Sequence, residues 1–160
     1  MNEKNSVALI VFSGDLDKIF ASLTIATGAA ASGMKVTMFF TFWGLKLIQQ
    51  TGVKPKGLSW MQKMFGWMVK AGPDKRPLSK LNMMGLGSAM LKKLMMRQKL
   101  PPIGEMMKTA KNLGVRFIAC TTSMEVMGIK KASLIPEVDG VAGVASFLVE
   151  AKDSNLTLFI

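Results

Sequence analysis

Histidine and tyrosine are absent from this 160-residue chain, and cysteine occurs once, as Cys120. Without an imidazole base, neither Ser-His-Asp nor Cys-His catalysis can operate. Zinc lacks its ordinary Cys and His ligands, so neither a metal nor any other cofactor is expected. One cysteine can form no internal disulfide and run no two-cysteine redox cycle within the chain. Any chemistry at Cys120 therefore uses that thiol alone or with a thiol from another molecule. Acids are scarce: 10 Asp and Glu stand against 21 Lys and Arg, a net charge of +11. Long apolar runs are missing as well. The longest uncharged stretch, residues 19–34, is interrupted by Ser22, Thr24, Thr27 and Ser32, and it falls short of the ~20 apolar residues that cross a bilayer. Residues 1–5 show neither the basic start nor the apolar region of a signal peptide. The expectation is a cytoplasmic protein forming one domain over residues 1–160, with 49% apolar residues and a mean hydropathy of +0.31.

Both ends of the chain alternate between strand and helix patterns. Residues 6–13 hold the continuous apolar run Val7-Ala8-Leu9-Ile10-Val11-Phe12, as a central parallel strand requires. A turn at Gly14-Asp15-Leu16-Asp17 opens a small-residue helix over 16–32 that Gly33 ends. Residues 35–42 predict a second buried strand, and 44–50 a short helix ended by Gly52. Residues 103–113 predict an amphipathic helix closed by Gly114, followed by a strand ending at Cys120 and a short helix over 123–127. Residues 132–135 suit a short strand or connector, 141–152 a helix and 156–160 a last strand. Strand–helix alternation with short connections predicts an α/β protein with a doubly wound parallel sheet.

Residues 54–100 break the pattern. They carry eleven cations against the single acid Asp74, which is ten of the chain's net +11, and eight of its 15 methionines. Trp60 and Trp67 lie among them. Residues 58–70 and 78–98 each predict an amphipathic helix, so the stretch is expected to be a helical hairpin inserted into the α/β frame. Three readings stand open. The Met, Trp and Leu face packs on the frame or a sister subunit while the lysines are solvated. Alternatively, the insert docks an acidic protein or an anionic substrate. In the third reading it is a peripheral membrane contact through 54–100, for which Lys-rich, Trp-bearing helices are the pattern. Nucleic acid is the weakest partner, since no recognised motif accompanies the charge and there is no tyrosine for stacking.

Cys120 closes the run Val115-Arg116-Phe117-Ile118-Ala119 and is followed by Thr121-Thr122-Ser123-Met124-Glu125. This predicts a buried strand leading into a helix, with Thr122-Ser123-Met124-Glu125 as a Ser/Thr-x-x-Glu capping box. Open α/β sheets put their chemistry at such strand ends, and first-turn N–H groups favour a thiolate nearby. The competing reading is an inert buried cysteine, a common fate for free thiols. Gly14 and Asp15 follow the first strand and so face the same sheet edge. They form no phosphate loop, because the glycine spacing and the Lys-Ser/Thr pair are missing. Asp17 suits the helix dipole, whereas Asp15 is placed to line a pocket near the thiol. The candidate site is thus Cys120 as the reactive group, with Gly14, Asp15, Thr121, Thr122 and Ser123 as substrate contacts. Phe39, Phe40, Phe42 and Trp43 are candidates to wall it or to fill the core.

Residues 7–18, the stretch 29–44 (Ala29-Ala30-Ala31-Ser32-Gly33 onward to Phe42-Trp43-Gly44) and the cysteine segment 114–129 resemble the DsrE/DsrF-like family, and within it the DsrE2-type sulfurtransferases that carry a peroxiredoxin-like label. The resemblance implies a flavodoxin-like open parallel sheet with helices on both faces, assembled into homo- or hetero-oligomers. It also implies that Cys120 accepts sulfane sulfur as a persulfide and hands it to an acceptor such as a TusA-like carrier. The basic insert would recruit an anionic sulfur donor. Two other functions remain: an oligomeric scaffold with a structural cysteine, and a one-cysteine peroxidase. For the peroxidase, the usual Pro-x-x-x-Thr/Ser-x-x-Cys arrangement is missing.

Overall fold

The computed structural model describes residues 5–51, 60, 72, 73, 77, 78 and 86–160. Strands β1 (Ser6–Val11), β2 (Lys35–Phe40), β3 (Arg116–Cys120), β4 (Gly140–Ala142) and β5 (Leu156–Phe159) form one sheet in the order β4-β3-β2-β1-β5. All four neighbouring pairs are parallel. The described helices are α1 (Leu16–Ala31), α2 (Leu86–Arg97), α3 (Ile103–Asn112), α4 (Thr121–Met127) and α5 (Val144–Ala151). This is the expected flavodoxin-like α/β architecture with helices on both faces. Most of the predicted hairpin, including 58–70 apart from Trp60, lies outside the described residues.

Connectivity decides which helix covers which face. The steps from β1 to β4 all run one way across the sheet, and the step from β4 to β5 returns to the far side of β1. Right-handed crossovers then put α1, α3 and α4 on one face and α5 on the other. The first face holds the larger core, built by Leu16, Ile19 and Leu23 of α1 and Ile103, Met106 and Ala110 of α3 against Val7, Leu9, Phe40 and Phe117. Phe40 and Phe117 meet edge to face at 5.3 Å, a pairing that adds about 1 kcal/mol beyond the area it buries. The second face is thinly covered, with Phe147 and Ala151 of α5 resting on Ala8, Phe39, Ile118 and Cys120. Helix α1 buries positions spaced three and four apart and ends at Ser32, where Gly33 takes φ +82°, a conformation open to glycine without strain.

Several predicted boundaries move. The helix expected over 141–152 is β4, then Gly143, then α5. Val141 and Ala142 pair with Ala119 and Cys120 of β3, so an edge position in the sheet outweighs local helix preference. The helix expected over 44–50 is a 3-10 turn, Phe42–Lys46, entered through Phe42 at φ 44°. The Gly44 N–H is bound to Phe12 O and Thr41 O at 2.9 Å each, which ties this turn to the end of β1 so closely that a Cβ at Gly44 would overlap Val11. Residues 132–135 are a connector rather than a strand: a 3-10 turn, Lys131–Ser133, leads to Leu134, which makes one isolated antiparallel bridge with Gln49.

Candidate functional site

Cys120 is the last residue of β3 and is 4% exposed. Side chains alternate along a strand: Phe117 and Ala119 enter the larger core, while Ile118 and Cys120 face α5. The rings of Phe39 and Phe147 stack at 4.4 Å with 14° between their planes, and this contact lays α5 over the thiol's side of the sheet. Farther along α5, Glu150 Oε1 accepts hydrogen bonds from Arg116 Nη1 at 2.7 Å and Thr37 Oγ1 at 2.6 Å. Those polar pins hold the helix at the end remote from Cys120.

Two helices begin beside the thiol. Cys120 is itself the N-cap of α4, in an extended conformation and with no side-chain cap hydrogen bond. The predicted capping box is therefore not formed, and Thr122 lies inside the helix instead of capping it. The physical reason lies with Ser123, which is buried and shares a 2.6 Å hydrogen bond with Thr41 just past β2. That bond draws the first turn of α4 up against the end of β2. The second helix start follows Ala142, the residue paired with Cys120, through Gly143, the N-cap of α5. A Cβ on Gly143 would stand 3.9 Å from Thr121 Oγ1, which places the Thr121 hydroxyl at that junction. Of the three candidate hydroxyls, Thr121 is half-buried, Thr122 exposed and Ser123 committed to Thr41.

Gly14 and Asp15 share the carboxyl edge of the sheet with Cys120, but β2 lies between their strands, so the two loops leave the sheet roughly 10 Å apart. The Asp15 carboxylate is engaged locally: Ser13 Oγ donates to it at 2.9 Å and Lys18 Nζ lies 3.3 Å away. Asp15 therefore holds its own loop rather than joining the Thr121–Ser123 segment. Phe39 faces the thiol side and Phe40 the larger core; Phe42 instead packs on Phe12 at 5.6 Å. Two described points of the insert touch this edge, where the Leu16 N–H donates to Pro77 O at 2.7 Å and the Gly72 N–H to Lys46 O at 3.0 Å.

Sequence reading overlooked Thr41, Phe147 and Asp139. Asp139 fastens β4 beside the thiol: its Oδ2 accepts from Lys111 Nζ and from the Phe117 N–H, both at 2.6 Å, and its own N–H donates to Phe117 O at 2.9 Å. Partial burial opposes charge on this carboxyl, yet the Lys111 and Phe117 hydrogen bonds, with the charges of Lys111 and Arg116, outweigh it and hold the pKa below the usual Asp value. A depressed folded pKa means stability that is full above the unfolded value and is lost as pH falls through the folded one. The side chain is 39% exposed, so solvent screening limits the effect to about 1 kcal/mol. Asp139→Asn is expected to remove that part of the acid destabilisation below roughly pH 4. Thermal melting of both proteins through the acid range checks it, and parallel curves would show that Asp139 carries no charge-dependent stability.

Residues 3–159 match the DsrE/DsrF/DrsH-like family. The chain is 38% identical over 152 residues to the uncharacterized protein YrkE of Bacillus subtilis, covering 95% of this chain and 94% of that one. It is 31% identical over 164 residues to the sulfur carrier protein DsrE2 of Allochromatium vinosum, covering 99% of each. Among solved structures, the YchN protein of E. coli superposes with a TM-score of 0.59 at 13% identity, over 98% of this chain and 99% of that one. MTH1491 of Methanobacterium thermoautotrophicum, a protein of unknown function, does so at 0.52 and 11%, over 96% and 98%. Those two show the fold alone; the match along nearly the whole sequence places the chain in the DsrE/DsrF/DrsH-like family.

Proposed function

We propose that the protein is a sulfur relay in which Cys120 carries sulfane sulfur between two other molecules. The observation that carries this is a lone cysteine at the carboxyl end of β3, in a family member without histidine whose 31% identical relative is named a sulfur carrier. In the first step the Cys120 thiolate attacks the sulfane sulfur of an anionic persulfide or thiosulfonate donor. The donor's S–S bond breaks, its thiolate (from a persulfide) or sulfinate (from a thiosulfonate) leaves, and Cys120 holds a persulfide. In the second step a thiolate of the acceptor, a TusA-like carrier, takes the outer sulfur and frees the Cys120 thiolate. No net oxidation occurs, so no cofactor is required. The start of α5 at Gly143 supplies N–H groups near the Cys120–Ala142 pair, a setting suited to an anionic persulfide. Thr121 is the side chain best placed to contact it. The experiment is the protein's mass after exposure to polysulfide, with Cys120→Ser as the comparison. The burial of Cys120 favours a second reading, an oligomeric scaffold with a structural cysteine, and the same measurement separates the two.

The reading includes self-association through the face that covers the thiol. Helix α5 exposes Val144, Leu148 and Val149, and the edge strand β5 exposes Leu156 and Phe159. Apolar area of this kind on a helix and a free sheet edge marks an interface. The charges on this face, Arg116, Glu150, Lys152 and Asp153, cancel, whereas the cations are concentrated in the insert, so two copies of a +11 chain meet here with the least repulsion. Light scattering is expected to give a multiple of the chain mass, reduced to a single chain by Leu148→Glu. A wild-type monomer would remove the oligomer from the proposal.

A further inference from the structure

Helix α2 carries large apolar side chains on its outward side as well as its inward one. Gly87, Leu91 and Met95 turn inward; the first and last are buried, and Leu91 packs against the larger core. An ordinary surface helix then shows water a polar side. Here the outward side carries Leu86, Met90 and Leu94, at spacings of four, which are 70%, 65% and 47% exposed. Lys93 and Arg97 fall on the same side, and both are exposed. Residues 86–100 hold four cations, Lys92, Lys93, Arg97 and Lys99, and no acid. The helix closes with the Leu100 N–H on Met95 O and the Lys99 N–H on Met96 O. Lys99 occupies the left-handed position at φ 56°, where glycine is the ordinary choice. The closure thus presents a further cation and the exposed Leu100 next to the stripe.

We propose that this outward side of α2 is a docking surface for an anionic phospholipid membrane, on which the protein lies without crossing. The charge selects the partner's sign: the stretch 54–100 carries ten of the chain's net +11, the complement of an anionic surface. The side chains select a fluid surface rather than a folded protein. Among the described residues the exposed apolar side chains of this helix are Leu86, Met90, Leu94 and Met96, the flexible Leu and Met types that adapt to irregular surroundings. Lysine, which prevails among the cations, acts as a point charge and fixes no bidentate geometry. Interleaved leucines and cations are the composition of helices that lie at the headgroup boundary. Among the described residues no helix is long and apolar enough to cross a membrane, and the 12 residues of α2 span only about 18 Å.

Flotation of the full chain with vesicles is the test, and it is independent of the sulfur chemistry. The protein is expected to float with phosphatidylcholine vesicles containing about a third phosphatidylglycerol, to stay behind with phosphatidylcholine alone, and to dissociate as salt is raised from about 0.05 to 0.5 M, where charges are screened within a few ångströms. Met90→Glu with Leu86→Glu should weaken binding at least tenfold at unchanged melting temperature, since both sites are exposed. Three results would overturn the proposal: no binding to anionic vesicles, equal binding by the double variant, or a self-association that the double variant abolishes while vesicles are ignored. The last of these would assign the stripe to a second copy of the chain.

Discussion

Exposed to polysulfide or thiosulfate and freed of excess reagent, the protein is expected to gain about 32 Da per sulfur atom, and Cys120→Ser to gain none. The loss is complete rather than partial because no second cysteine or histidine exists to take over. The variant keeps the comparison fair: serine is close in size to cysteine, and its hydroxyl among Phe39, Ile118 and Phe147 weakens the fold by about 1–3 kcal/mol, well short of unfolding a protein with ~5–15 kcal/mol in hand. A thiol 4% exposed reacts when its cover shifts. That cover is α5, pinned by Glu150 at the far end and held near the thiol by the Phe39–Phe147 stack. Native protein that neither gains sulfur nor is alkylated would make Cys120 a packing residue and the protein a scaffold. Sulfenic acid formed with peroxide, and no sulfur taken up, would make it a peroxidase.

The sheet was legible because its signals are local. Val7 to Phe12 is a continuous apolar run, Val36 to Phe40 is one broken only by Thr37, and Gly33 and Gly114 mark helix ends by their positive φ values. Cys120 was legible for the same reason, as the end of an apolar run. What escaped depends on contacts distant in sequence. β4 has three residues and exists because Ile118 to Cys120 offer a free edge; Gly140 and Gly143 bracket it, and those two glycines were the available sign that 141–152 is not one helix. The capping box at Thr122–Glu125 is a sound local pattern, overruled by a bond between Ser123 and Thr41, 82 residues apart. Asp15 shows the limit of reasoning by sheet edge: sharing an edge with Cys120 leaves it two strands away, tied to Ser13 and Lys18. The amphipathicity of 86–97 was visible, but which side faces outward is decided by packing against the frame.

Gly44→Ala is expected to be the most damaging Gly→Ala change among the described residues. A Cβ at Gly44 would lie 2.1 Å from Val11 O and 2.9 Å from Val11 C, far inside van der Waals contact, and both obstructing atoms are backbone. Neither side can yield. Val11 ends the interior strand β1, and its carbonyl already accepts the Thr41 N–H at 3.0 Å, while the Gly44 N–H is bound to Phe12 O and Thr41 O at 2.9 Å each. Phe42, two residues earlier, is already in the left-handed region at φ 44°, a strain of about 1 kcal/mol or more that leaves no slack in the turn. Relieving the overlap means breaking these bonds, a loss of about 3–5 kcal/mol, or roughly 6–20 °C in melting temperature for a chain of this size. Gly28→Ala is the control: nothing lies within 4 Å of a Cβ at this exposed α1 position, so alanine should stabilise by about 0.5–1 kcal/mol through helix propensity. Equal melting of the two variants would refute the close approach at Gly44. The consequence reaches the thiol, because the turn that Gly44 permits holds Thr41 against Ser123. A Gly44→Ala protein that still folds should therefore load sulfur on Cys120 at a changed rate, through a displaced α4 and with the thiol itself intact.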